Sequence, residues 1–233
     1  MKAALALVLV LLALPSACRR VDHDAIARAK ADLAGAWLRV AEGGDAPQET
    51  GDPRDGFDLR ADGSLGVLGN DALAGIAWNR VRDELVISTS GEHDAQPRSS
   101  RLEIASLDGD LLDLRGGADS EHFAGRYRRT PVEHVSGVVT YLEQVALPAG
   151  ARIEVRLARG GAPAAFTRVP PRATLPFPFT VSVLPAAGAP GDATLEATVH
   201  AGGKLMFATP APVPVEIGAR DVELLLRQPP PPR

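Results

Sequence analysis

The chain has 233 residues, a formal net charge of −4, 4% aromatic residues, 23 glycines, 20 prolines and one cysteine. The acidic balance argues against nucleic acid as a partner, and a single cysteine excludes a disulfide-stapled scaffold. So many chain-turning residues suit short strands joined by turns and argue against long helices.

Lys2 is the only charge before Arg19, and Ala3 to Leu14 is an unbroken apolar run. That is the length of a signal-peptide core and shorter than the roughly 20 residues needed to span a bilayer. Pro15, Ser16 and Ala17 supply a helix break and small residues in front of Cys18, so residues 1–17 are expected to form a cleaved signal peptide. The stretch Leu14 to Cys18, LPSAC, resembles a bacterial lipobox, with Pro15 where a branched aliphatic residue is usual. The resemblance implies that Cys18 becomes an acylated N-terminus, labelled by palmitate, and that the covalent lipid is the one attached group, with no other cofactor. The resemblance to bacterial lipoproteins further implies, from Arg19 rather than an aspartate after the cysteine, sorting to the outer membrane of a Gram-negative envelope, facing the periplasm. Each buried methylene contributes about 0.8 kcal/mol, and two or more acyl chains hold firmly, so the membrane is an expected partner through this anchor.

Residues 18–32 are polar and alanine-rich and read as a lipidated tether. From Leu33 to Thr130 the pattern is a series of about eight short alternating segments, among them Gly35 to Val40, Ile76 to Val81 and Leu111 to Leu114. Asp62-Gly63 and Asp108-Gly109 fall between apolar alternations, a hairpin signal whose type I′ form needs positive φ at both central residues. Sequential hairpins predict a small antiparallel β-barrel over residues 33–130. Leu33 to Trp37, Phe57 to Ser64, Ala77-Trp78 with Leu85 to Ile87, and the closing Tyr127-Arg128-Arg129 resemble the bacterial lipocalin-like lipoprotein domains. That resemblance implies that the Gly-x-Trp strand plugs one end of the barrel and that the final Tyr and Arg pack near it. Trp37 and Trp78 have two readings, as rings lining a ligand-holding barrel or as core side chains, and scarce aromatics favour core.

Past a short boundary at residues 130–134, seven candidate strands follow: Val135 to Tyr141, Ile153 to Leu157, Phe177 to Val183, Leu195 to Val199, Leu205 to Phe207, Val213 to Ile217 and Val222 to Leu226. They predict a seven-stranded β-sandwich over residues 135–228, and Pro176 and Pro178 imply that the third strand is an edge or begins outside the sheet. The runs Val135 to Tyr141, Ala146 to Ala151, Leu175 to Phe179 and Gly203 to Thr209 resemble the YbaY family of bacterial lipoproteins, related to the YscW-type pilotins. The resemblance implies a small lipoprotein that assists a secretion assembly. Residues 229–233 end the chain as a proline-rich tail, expected to be solvated polyproline II.

The chain offers little chemistry. Histidines 23, 93, 122, 134 and 200 show no ligand spacing, whereas a zinc site gathers three or four ligands, so no metal is expected. Asp62 to Gly66 is the stretch nearest to a Gly-x-Ser-x-Gly nucleophile elbow, but Ser64 is wrongly placed in it and the stretch reads as a hairpin turn, and the paired acids fall at turns. The expectation is an all-β, non-catalytic envelope lipoprotein, a barrel followed by a sandwich, with a structural or assembly role through an envelope protein partner. The rival reading is a periplasmic binder of a small apolar ligand within the barrel; an unrecognised hydrolase has the weakest claim.

Overall fold

The computed structural model describes residues 30–40, 55–69, 73–91, 97–143, 145–148, 150–169, 175–185 and 192–229. The leader, Cys18, residues 18–29 of the tether and the last residues of the proline tail lie outside them. A helical turn at residues 30–33 leads into eight strands: β1 (Gly35–Arg39), β2 (Gly56–Leu59), β3 (Leu65–Leu68), β4 (Leu73–Val81), β5 (Glu84–Gly91), β6 (Arg98–Asp108), β7 (Leu111–Gly116) and β8 (Gly125–Thr130). They form one antiparallel sheet in the order β3-β2-β1-β8-β7-β6-β5-β4. Its two ends meet where Trp78 N donates to Gly63 O at 2.8 Å and Ser64 bridges Ala77, so the sheet is a nearly closed barrel.

Both Asp-Gly signals mark hairpins, but neither uses the I′ geometry. In the β6–β7 hairpin Asp108 pairs with Leu111, so Gly109 and Asp110 are the central residues. Only Gly109 has a positive φ, +55°, the pattern of a II′ turn. At the β2–β3 turn Gly63 takes φ +89°, while Asp62 Oδ1 accepts from Ser64 N at 2.8 Å and from its hydroxyl at 2.7 Å. The aspartate therefore pins the turn through its side chain, an Asx role open to a residue that keeps a negative φ.

The barrel interior is filled. Trp37, Phe57, Leu59, Leu85, Ile87, Leu102, Leu112, Leu114 and Tyr127 are all 1% exposed or less and belong to one apolar cluster that also holds Trp78. The β1 tryptophan is fully buried: Trp37 Nε1 donates to Leu33 O at 2.9 Å, and the Arg129 guanidinium lies 4.2 Å from its ring centroid. Arg129 also donates to the carbonyls of Asp32 and Ala34, tying the helical turn to β8.

The second unit holds β9 (Glu133–Tyr141), β10 (Arg152–Arg159), β11 (Ala162–Val169), β12 (Phe177–Val183), β13 (Ala193–Ala201), β14 (Lys204–Ala208), β15 (Val213–Val215) and β16 (Val222–Leu226). One sheet runs β11-β10-β13-β14 with β15 also on β13; the other runs β12-β9-β16, the last pair parallel. This is a two-layer sandwich around its own core, including Val135, Val139, Ile153, Val155, Val181, Leu195, Phe207 and Leu224. It contains β11 in addition to the seven expected strands. That segment opens Ala162-Pro163-Ala164-Ala165, residues with weak strand preference, and is held by antiparallel pairing along β10. The proline-bearing β12 is at an edge, paired to β9 alone within its sheet.

Candidate functional site

Two places concentrate unusual side chains. The first is the junction between barrel and sandwich. β1 reads Ala36-Trp37-Leu38, apolar on both faces, because its outer face is covered too: Ala36, Leu38 and Leu68 form a third buried cluster with Val132 and Leu184. Beside it the outer face of β2 carries Asp58, which is 2% exposed. A buried carboxylate must be hydrogen-bonded and compensated, and here one oxygen takes three donors. Asp58 Oδ2 accepts from Ser182 Oγ at 2.7 Å, from His134 Nε2 at 2.8 Å and from Arg60 Nε at 3.0 Å. Arg60 Nη2 donates on to Ser182 Oγ at 2.7 Å and Thr180 O at 3.3 Å. Two of these residues come from the barrel and the others from β9 and β12. Burial opposes ionisation of Asp58, but the His134 hydrogen bond, the Arg60 charge and the Ser182 hydrogen bond outweigh it and hold the carboxyl below its usual range. Gly66 makes room, since a Cβ there would crowd Arg60 and the Ser182 hydroxyl.

The grouping contains a serine, a histidine and an aspartate, yet it lacks the arrangement of a catalytic triad. In a triad the histidine bridges the other two and takes the serine proton. Here Ser182 and His134 both bond to the carboxylate, and Ser182, 6% exposed, has its proton directed at Asp58. The cluster is a polar clasp between two units. A second link joins Arg168 Nη1 on β11 to Ser90 O on β5 at 3.3 Å. Next to the clasp is a cavity of about 560 Å³, walled by Val67 and Leu68 from the barrel and by Pro163, Phe166 and Leu184 from the sandwich.

The second place is the far end of the sandwich. β9 finishes there at Tyr141, whose ring stacks on Phe207 at 4.8 Å and lies 6.4 Å from Phe177. Around this aromatic group Leu142 is 68% exposed, Val145 44%, Leu205 42% and Leu175 38%. Tyr141 Oη donates to Val145 O at 2.8 Å and so fixes the loop that carries two of them. Burial and the Glu143 charge push the Tyr141 phenol above its ordinary value, which keeps it a donor.

Of the residues singled out in the sequence, Cys18 lies outside the described residues. Trp37 and Trp78 point into the barrel and are packed there, Trp78 Nε1 donating to Arg60 O at 2.7 Å. His134 sits in the clasp, while His122 packs on Phe123 at 4.1 Å. Among the described residues no group of three or more His, Cys, Asp or Glu is placed to hold a metal, and no helix is long and apolar enough to cross a membrane. Sequence reasoning missed Asp58, Arg60 and Ser182 as partners. The available signal was the two-sided apolar run in β1, which announces a covered outer face.

The fold and these sites define an all-β protein of two joined units, a filled barrel and a sandwich with an apolar end. Residues 130–226 match the model of a family described as type III secretion system lipoprotein chaperone (YscW). Among solved structures, similarity is found to an alternative pilotin from the type II secretion system of Vibrio cholerae, at 21% identity and a TM-score of 0.38, covering 41% of this chain and 96% of that one. A lipocalin-like protein from Bacteroides thetaiotaomicron VPI-5482 is similar at 16% identity and a TM-score of 0.31, covering 42% of this chain and 97% of that one. No curated protein matches the chain.

Proposed function

We propose that the chain is a non-catalytic lipoprotein, held in the outer membrane by lipid on Cys18 and facing the periplasm, whose sandwich binds a protein of a secretion assembly in a pilotin-like role. The YbaY kinship read in the sequence belongs to the same proposal. The observation that carries it is the extent of the family match: residues 130–226 span the whole sandwich, β9 to β16, with its separate core. The clasp supports holding over turnover, because its hydroxyl and imidazole are engaged with Asp58. In cells making the full chain, a general amine-reactive crosslinker is expected to capture one secretion-assembly protein through sandwich residues, and truncation after Thr130 to lose it. Diffuse crosslinks to abundant envelope proteins, unchanged by the truncation, would refute the role. Metabolic labelling with a palmitate analogue is expected in the wild type and absent in Cys18→Ala; label retained by the variant refutes the anchor.

One observation favours a small-ligand reading, the 560 Å³ cavity, which is within the usual size of ligand pockets. It lies between the two units, whereas the barrel interior, where the sequence placed such a ligand, is occupied by Trp37, Phe57, Tyr127 and their neighbours. Native mass spectrometry of the full chain that finds no retained molecule removes this reading.

A further inference from the structure

We infer that the apolar end of the sandwich is the surface that takes the protein partner, and that the partner presents an apolar segment with a lysine or arginine set among its apolar side chains. The inference rests on the protein-binding reading and adds the site and the chemistry of what occupies it.

Two independent observations meet at this end. The first is apolar exposure. Of the five large apolar residues exposed among the described residues, four, Leu142, Val145, Leu175 and Leu205, are here, and the fifth, Val81, is on the barrel. The strand ends bring the four to one end of the sandwich: Phe177, two residues after Leu175, pairs with Val139, two residues before Tyr141, and Leu205 pairs with His200, opposite the start of β10. Leu205 follows the turn after β13 and precedes Phe207, the ring stacked on Tyr141. Monomeric proteins scatter exposed apolar residues singly, and a cluster of this kind marks an interaction surface. The Tyr141 to Val145 hydrogen bond holds Leu142 and Val145 outward.

The second observation is an orphaned acceptor. Glu143, between the two most exposed of these residues in the chain, has Oε2 shielded from solvent with no hydrogen-bond partner, and its Oε1 accepts only a 3.4 Å bond from Gln228 N. A buried carboxylate oxygen without a donor is costly, and each such group in a native structure calls for an explanation. A purely apolar partner would remove Glu143 further from water and raise that cost. A partner that brings an ammonium or guanidinium supplies the opposite charge and a donor to Oε1, the reachable oxygen, whose one bond is long; Oε2 joins in only when the side chain turns. The same carboxylate argues against two other occupants. An anionic membrane surface would repel it, and a second copy related by a two-fold axis would bring two Glu143 carboxylates into one isologous contact.

The position suits a partner site. Tyr141 is about 23 Å along β9 from His134 in the clasp, at about 3.3 Å per residue, so an occupant at this end is clear of the barrel.

The test uses the full chain and short Leu/Ala peptides that differ in one central residue, lysine, glutamine or glutamate, with affinity read by calorimetry. The lysine peptide is expected to bind about tenfold more tightly than the glutamine peptide, the glutamate peptide most weakly. In Glu143→Gln the lysine preference is expected to vanish, and in Glu143→Lys the glutamate peptide becomes the best ligand. Leu142→Ser, at a site too exposed to matter for folding, is expected to weaken all three, with an unchanged circular dichroism spectrum. Equal affinity for the lysine and glutamine peptides overturns the inference. So does binding of phosphatidylcholine vesicles, or a concentration-dependent dimer, that is lost in Leu142→Ser. If a crosslinked partner maps to the barrel junction and the peptides do not bind, this surface is refuted while the protein-binding reading stands. If no specific partner is captured, that reading fails by itself.

Discussion

Replacing Asp58 with alanine tests whether the clasp makes barrel and sandwich one cooperative unit. The substitution removes the acceptor of three hydrogen bonds, of 2.7, 2.8 and 3.0 Å. It leaves the Arg60 side chain, 14% exposed, without its carboxylate, whereas His134, 40% exposed on its side chain, turns back to water. Removing one partner of a buried ion pair costs about 3 to 5 kcal/mol, and the partial exposure of His134 puts the expected loss near the lower bound, about 3 kcal/mol. Asp58→Asn keeps the shape and loses the charge, with an expected loss of about 1.5 kcal/mol. Both tryptophans, Trp37 and Trp78, are in the barrel, so fluorescence in urea follows the barrel while circular dichroism follows all strands. The two transitions are expected to coincide in the wild type and to separate in Asp58→Ala. The pH dependence has a defined sign. Asp58 titrates lower in the folded chain than when unfolded, so its contribution is full above the unfolded carboxyl value and is lost as pH falls through the folded one. Asp58→Asn should therefore flatten the wild type's acid-side loss of stability. A loss below about 1 kcal/mol in Asp58→Ala, within the range of an exposed ion pair, together with coincident transitions, would refute the clasp as the coupling element.

Two further substitutions probe the separate cores. A Cβ on Gly137 would overlap the backbone carbonyl of Val222 in the parallel neighbour strand. Gly137→Ala is therefore expected to push β16 away and to lower stability by about 2 kcal/mol in urea titration; an unchanged midpoint would show that the strands have slack. Trp37→Ala removes a fully buried ring from the barrel core, the ring under Arg129, with an expected cost of about 3 to 5 kcal/mol by the same titration. A cost under about 1 kcal/mol would mean the barrel collapses freely around the gap.

The barrel was legible because its strands alternate and its turns carry glycine: Leu85 and Ile87 face inward between half-exposed neighbours, and Gly109 sits where only a positive φ closes the hairpin. β11 was illegible because Ala162-Pro163-Ala164-Ala165 carries no alternation, and its place is set by β10. The clasp was illegible for a different reason. Asp58 and Ser182 are 124 positions apart, and their meeting depends on how two outer sheet faces pack, which strand patterns leave open. The apolar end illustrates the same limit. Leu142 lies just past one expected strand and Leu175 just before another, and the antiparallel pairing of β9 and β12 brings those two strand ends to the same side.

The parallel pairing of β16 with β9 has a consequence for how the chain matures. Every strand of the barrel comes from residues 35–130, so that unit can close while the rest of the polypeptide is still being delivered. The sandwich is different, because its first strand takes its neighbour from its last, Val222 against Gly137 through Leu226 against Tyr141. Domains fold as units from the N-terminus during synthesis, and here the second must wait for residue 226. A chain cut short by even one strand would carry a finished barrel and an open apolar layer, the state most prone to aggregate and most readily recognised for proteolysis.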